Sequence, residues 1–181
     1  GAWVGARTLT LVGSNSGAYE IQGAIVDNND TSSDVSVSIV KDGTGKWTLS
    51  GDSTYTGTTT VNDGTLIVAG SLAAASVVSV SGGTLGGSGT IGGNTTFTGG
   101  TLTAGDEGVT GTLAFSGDLT TGAGTAWLVD LTHNLTAGNG GAVDLVNVSG
   151  ALSLNSANLI VNETGSFLRG EVYQIASYGV S

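Results

Sequence analysis

The phrase Gly-Thr-Leu returns along this chain at Gly64-Thr65-Leu66, Gly83-Thr84-Leu85, Gly100-Thr101-Leu102 and Gly111-Thr112-Leu113, with related Gly-Thr steps at Gly43, Gly89 and Gly124. The larger intervals are roughly 17 to 21 residues, a period that belongs to solenoids. A unit this short cannot bury a face alone, so each repeat must stack on the next. Internal repetition therefore restricts the fold more than any other feature.

Between the repeats lie very short alternating segments. Val35-Ser36-Val37-Ser38-Ile39 and Thr8-Leu9-Thr10-Leu11 have period 2, and Leu66-Ile67-Val68, Val77-Val78-Ser79-Val80 and Leu152-Ser153-Leu154 come close. Trp127-Leu128-Val129-Asp130-Leu131 reads the same way, with Trp127, Val129 and Leu131 facing in and Asp130 facing water. Strands of three to five residues, separated by Gly or Asn turns, predict an all-β chain wound as a right-handed parallel β-helix of roughly 20 residues per coil. A chain of 181 residues would make about nine coils and a rod about 40 Å long. Thr and Ser form about a quarter of the chain and Pro is absent, which suits interior strands that cannot spare a ladder donor. The 33 Gly serve the corners, where φ > 0 or close backbone approach is needed, and Asn62, Asn94 and Asn162 are read as turn residues.

The net charge of −10, from 4 basic against 14 acidic residues, leaves little to neutralise phosphates, so no nucleic-acid partner is expected. An anionic membrane surface is disfavoured for the same reason, and no apolar run approaches the ~20 residues of a spanning helix, so no direct membrane insertion is expected. The chain opens at Gly1 and reads as an excerpt of something longer. Without Cys there is no disulfide framework or thiolate chemistry.

Candidate chemistry is sparse, and we expect no enzyme, no cofactor and no metal. The GxGxxG match from Gly87 to Gly92 is followed by the β-prone Asn94-Thr95-Thr96-Phe97-Thr98, whereas a dinucleotide loop must open a helix. Its stretch, GTLGGSGTIGG, reads instead as two strand steps, Thr84-Leu85 and Thr90-Ile91, with glycines at the corners. His133 stands alone in a polar loop. Gly140-Gly141-Ala142-Val143-Asp144 and Asp27-Asn28-Asn29-Asp30 both fall short of a calcium loop. Acids stacked on adjacent coils could sit about 5 Å apart, as retaining glycosidases need, but the acids here are scattered. The Asn-X-Ser/Thr sites are expected by chance in so Thr-rich a chain.

The run from Lys41 to Leu66, KDGTGKWTLSGDSTYTGTTTVNDGTL, resembles the passenger-associated repeat of bacterial autotransporters, KxGxGxWxLSGxNTYTGxTTVNxGTL. Flanking stretches extend the resemblance: Leu9 to Asp27 upstream, Gly82 to Ile91 and Asp144 to Gly150 downstream, and Gly170 to Tyr178 as closing strands. One departure is Gly100-Thr101-Leu102-Thr103-Ala104-Gly105, where the family often carries a Pro. The resemblance implies a non-catalytic structural and folding module of a passenger at the cell surface or outer membrane of a Gram-negative bacterium. Its partner would be the protein's own translocating β-barrel, which this sequence does not contain. Residues 1–120 would be repeating coils, and residues 121–181 a C-terminal cap similar to an autochaperone region, which folds first and promotes secretion. Trp127, Leu131, Val148, Leu154, Tyr173 and Ile175 are the expected folding core of that cap. The alternative is an adhesin or self-association module that binds a host-surface protein or neighbouring cells.

Overall fold

A computed structural model describes residues 5–15, 17, 19–30, 33–106, 108–132, 142–164 and 174–178. Its strands form three parallel sheets that wind as a parallel β-helix, with no helical segment among the described residues. The first sheet stacks seven strands in the order Arg7–Leu11, Val37–Lys41, Thr59–Val61, Val78–Val80, Thr95–Phe97, Leu119–Thr121 and Leu152–Leu154. The second runs through Tyr19–Ile21, Lys46–Leu49, Thr65–Val68, Thr84–Gly86, Thr101–Thr103 and Ala126–Thr132, the last of which also pairs with Asn158–Thr164 and, antiparallel, with Ala142–Val143. The third joins Ser71–Leu72, Thr90–Ile91, Thr112–Phe115, Leu145–Val148 and Ala176–Tyr178. A two-stranded hairpin, Asn28–Asp30 with Ser33–Val35, projects from an early coil.

Among the described residues the first sheet has seven strands, one for each of seven coils, where about nine were expected. Central coils keep the short period: Thr59 pairs with Val78 and Val78 with Thr95. The outer coils carry insertions, so Leu11 pairs with Lys41 and Leu119 with Leu152. Longer coils consume more chain for the same rise, and the rod shortens to about 30 Å at the usual strand spacing.

The repeated phrase has a simple geometry. In its first three occurrences Gly turns a corner with positive φ (Gly64 +63°, Gly83 +63°, Gly100 +77°), Thr points outward, and Leu points into the core of the second sheet. Gly111-Thr112-Leu113 differs because it opens a strand of the third sheet. Stacked positions build the interior column by column. One column reads Tyr19, Trp47, Leu66, Leu85, Leu102, Trp127 and Leu159, and another reads Leu72, Ile91, Phe115, Val148 and Tyr178. Such a column buries apolar area only where a coil lies on both sides. Accordingly Leu66, Leu85 and Leu102 are fully buried, while Leu159 and Tyr178 at the end of the stack are exposed.

GTLGGSGTIGG falls where the sequence put it, with Thr84–Gly86 in the second sheet, Thr90–Ile91 in the third and a corner between them. Of the three Asn expected at turns, Asn62 and Asn94 flank strands, but Asn162 lies inside Asn158–Thr164. Its side chain explains the difference, because its amide donates to Asp130 on the neighbouring strand.

Candidate functional site

The stretch from Lys41 to Leu66 makes one turn of the helix. Lys41 continues the inward parity of Val37 and Ile39, and its coil neighbours in register are Leu11 and Val61. Its side chain is completely buried, and Nζ donates to the carbonyls of Gly43 at 2.7 Å and Asp63 at 3.0 Å. One carbonyl belongs to its own coil and one to the next. The ammonium thus ties two successive corners together, satisfying groups that would otherwise be buried without partners. Burial pushes the Lys41 pKa below the ordinary lysine value, against the pull of Asp63 and Asp42. Trp47 stacks on Tyr19 at 4.9 Å and donates its indole N–H to Val12 at 2.9 Å, locking this turn to the preceding coil. Tyr55 is buried with its hydroxyl on Thr59, whose own hydroxyl meets Ser76.

The C-terminal coils hold the residues expected to form the folding core. Trp127, Leu131 and Val148 are buried in the main apolar cluster, and Ile175 packs against it half-buried. Leu154 stands half-exposed, at 50 %, because it stacks on Thr121 at the last strand of the first sheet, where no further strand of that sheet lies over it among the described residues. Tyr173 lies outside the described residues, as does His133. The Trp127 indole nitrogen is buried without a hydrogen-bond partner among the described residues.

Asp130 corrects the sequence reading most sharply. It points outward from its strand as expected, yet it is 2 % exposed. Gly108 reaches its carboxylate from another turn, and the Ala142–Val143 strand pairs antiparallel with Leu131 and Thr132 beside it. Its carboxylate accepts from Gly108 N at 2.8 Å and from Asn162 Nδ2 at 2.7 Å. Asp144, fully buried beside it, accepts from Gly111 N and from Asp130 N, both at 2.9 Å. Four segments of chain are thereby pinned by two carboxylates whose oxygens are all engaged.

Burial pushes the Asp144 carboxyl above the ordinary carboxylate range. The amides of Asp130 and Gly111 pull the other way, and the Asp130 charge adds to the rise. A raised folded-state pKa means that the native chain holds this proton more tightly than the unfolded chain. The stabilisation is complete below the unfolded value and is lost as pH rises through the folded one. Wild type should therefore gain stability relative to Asp144→Asn on acidification from pH 7 toward about pH 4. Urea midpoints at both ends measure this, and a difference independent of pH would contradict it. Asp27 has the opposite sign: the Thr56 hydroxyl, with the amides of Val37 and Thr56, lowers its pKa, so its contribution fades as pH falls. The Asn substitution isolates Asp144 from that background.

A groove of about 450 Å³ runs over the outer face of the second sheet, between these two regions. Lys46, Thr65, Thr84 and Thr101 form one side, stacked in register on successive coils. Ile67, Thr103 and Leu128 form the other. Gly86 lies between Ile67 and Thr103, and a Cβ there would sit 2.7 Å from Thr103 Cγ2, so these side chains close over the glycine. Asp106 reaches over the groove to make an ion pair with Lys46.

No cluster of three or more His, Cys, Asp or Glu able to hold a metal occurs among the described residues. Among the described residues, no helix is long and apolar enough to cross a membrane. The burial of Lys41 and Asp130 was missed from sequence. For Lys41 the signal was available, since it stands in phase with Val37 and Ile39. For Asp130 it was not, since its partners come from elsewhere in the chain.

Residues 39–68 match the family described as Passenger-associated-transport-repeat. The matched segment is the turn bounded by Ile39 and Val68, which contains the buried Lys41 and the Tyr55 pair. No curated protein and no solved structure gives a match to the chain. A repeat of this family is a structural element of autotransporter passengers. It implies a surface-exposed or outer-membrane-associated setting in a Gram-negative bacterium and linkage to a translocating barrel.

Proposed function

We propose that this chain is a non-catalytic structural and folding module of an autotransporter passenger, promoting its passage across the outer membrane and displaying an upstream effector. The observation that carries the reading is the passenger repeat at 39–68, set as one turn in a continuous parallel β-helix. Residues 1–120 serve as the stacking coils and residues 121–181 as the C-terminal cap. In support, the coil step lengthens beyond the fifth strand of the first sheet, where Thr95 pairs with Leu119 and Leu119 with Leu152. The cap is also where the carboxylate pins lie. Each coil touches only its neighbours, so a cap that folds first on the outer side can template the coils behind it. Translocation then needs no large loop closures.

Deleting residues 121–181 from the full-length protein should abolish surface display, read by protease access on intact cells. Display at the wild-type level would overturn the reading. A second reading, as an adhesin or self-association module, draws support from the outward hydroxyl ladder of the first sheet, where Thr60, Ser79, Thr96, Thr120 and Ser153 stack in register.

A further inference from the structure

We propose that the groove on the second sheet is a binding site for a neutral linear oligosaccharide lying along the helix axis. This inference is independent of the folding role.

Thr65, Thr84 and Thr101 present three half-buried hydroxyls on consecutive coils. None of these hydroxyls has a hydrogen-bond partner among the described residues. They repeat at the coil spacing of about 4.8 Å, close to the length of one pyranose unit in an extended chain. One sugar per coil keeps its hydroxyls in register with the ladder. An extended peptide along the same line would present same-face groups about every 6.8 Å and lose register after one step.

The opposite wall suits the same ligand. Half-buried Leu128 offers aliphatic surface to the C–H face of a sugar ring, and the buried Ile67 and Thr103 side chains close the wall over Gly86. Charge selects against polyanions. Lys46 is the groove's only cation among its lining residues, it is paired with Asp106, and the chain carries −10 overall. The ion pair instead supplies donors and an acceptor to sugar hydroxyls at one end, the arrangement of a few polar groups over an apolar wall that small-molecule sites share.

The test titrates the 181-residue chain, labelled with ¹⁵N, with the β-1,4-glucose, β-1,4-N-acetylglucosamine and β-1,3-glucose hexaoses. A polyuronate hexamer and a Thr-rich peptide serve as competitors. At least one neutral hexaose should shift the amide signals of Thr65, Thr84, Gly86 and Thr101, with an affinity of roughly millimolar order. Thr84→Val keeps the β-branched shape and removes one hydroxyl, and it should weaken binding roughly 3- to 10-fold. The same change at Thr112, exposed on the third sheet, should leave binding unaltered, and circular dichroism confirms that both variants fold. The proposal is overturned if no neutral hexaose shifts these signals, if only the polyuronate or the peptide does, or if Thr84→Val binds as wild type does.

Discussion

Gly89→Val should abolish the cooperative folding of this chain. Gly89 sits at the corner between the second and third sheets, where its amide donates to Val68 at 2.9 Å. A Cβ there would overlap the Gly70 carbonyl oxygen and lie 2.8 Å from that of Val68 and 2.9 Å from the Ala69 carbonyl carbon. These are backbone atoms of the preceding coil, which cannot swing aside as a side chain could. The two coils must separate, and a β-helix stores its stability in that contact between neighbours. Gly23→Val is the matched control, because a Cβ at Gly23 meets nothing within 4 Å. Its effect should stay within about 0.5 kcal/mol. Loss of the thermal transition in Gly89→Val alone, with no nucleotide binding in the parent chain, is the expected result. A folded Gly89→Val variant would mean that the coils are not stacked as described.

Trp127→Ala should cost about 3 to 5 kcal/mol, the range for removing a buried aromatic from a core that cannot collapse around the gap. Trp127 is 3 % exposed between Leu102 and Leu159. Because its indole nitrogen has no hydrogen-bond partner among the described residues, the loss should be one of packing. Trp127→Phe should therefore recover most of it. The loss is read from denaturant midpoints of the isolated chain, and a cost below about 1 kcal/mol would show that this column does not carry the terminal coils.

The sequence conveyed the period, the strands and the corners because each depends on residues within one repeat. Gly-Thr-Leu encodes a corner, an outward hydroxyl and an inward Leu, and those three roles hold at residues 64, 83 and 100. What lay beyond it came from contacts between distant segments. Alternation fixed the side of the strand on which Asp130 stands, but whether that side meets water depends on Gly108 and Asn162, which belong to other turns. Leu154 has the pattern of a core residue and is half-exposed because burial in a solenoid also requires a coil above. The groove has the same origin. Its threonines are separated by whole coils, and its ion pair joins Lys46 to Asp106 across 60 residues.

If the C-terminal coils drive folding at the cell surface as proposed, the position of a lesion, and not its cost in stability alone, decides display. Phe97 and Trp127 are both buried aromatics, one among the repeating coils and one in the cap, and truncation of either falls in the same range of cost. The measurement is the fraction of full-length protein reachable by external protease on intact cells, for Phe97→Ala and Trp127→Ala side by side. Trp127→Ala should lose display while Phe97→Ala remains close to wild type. Equal display of the two variants would contradict it.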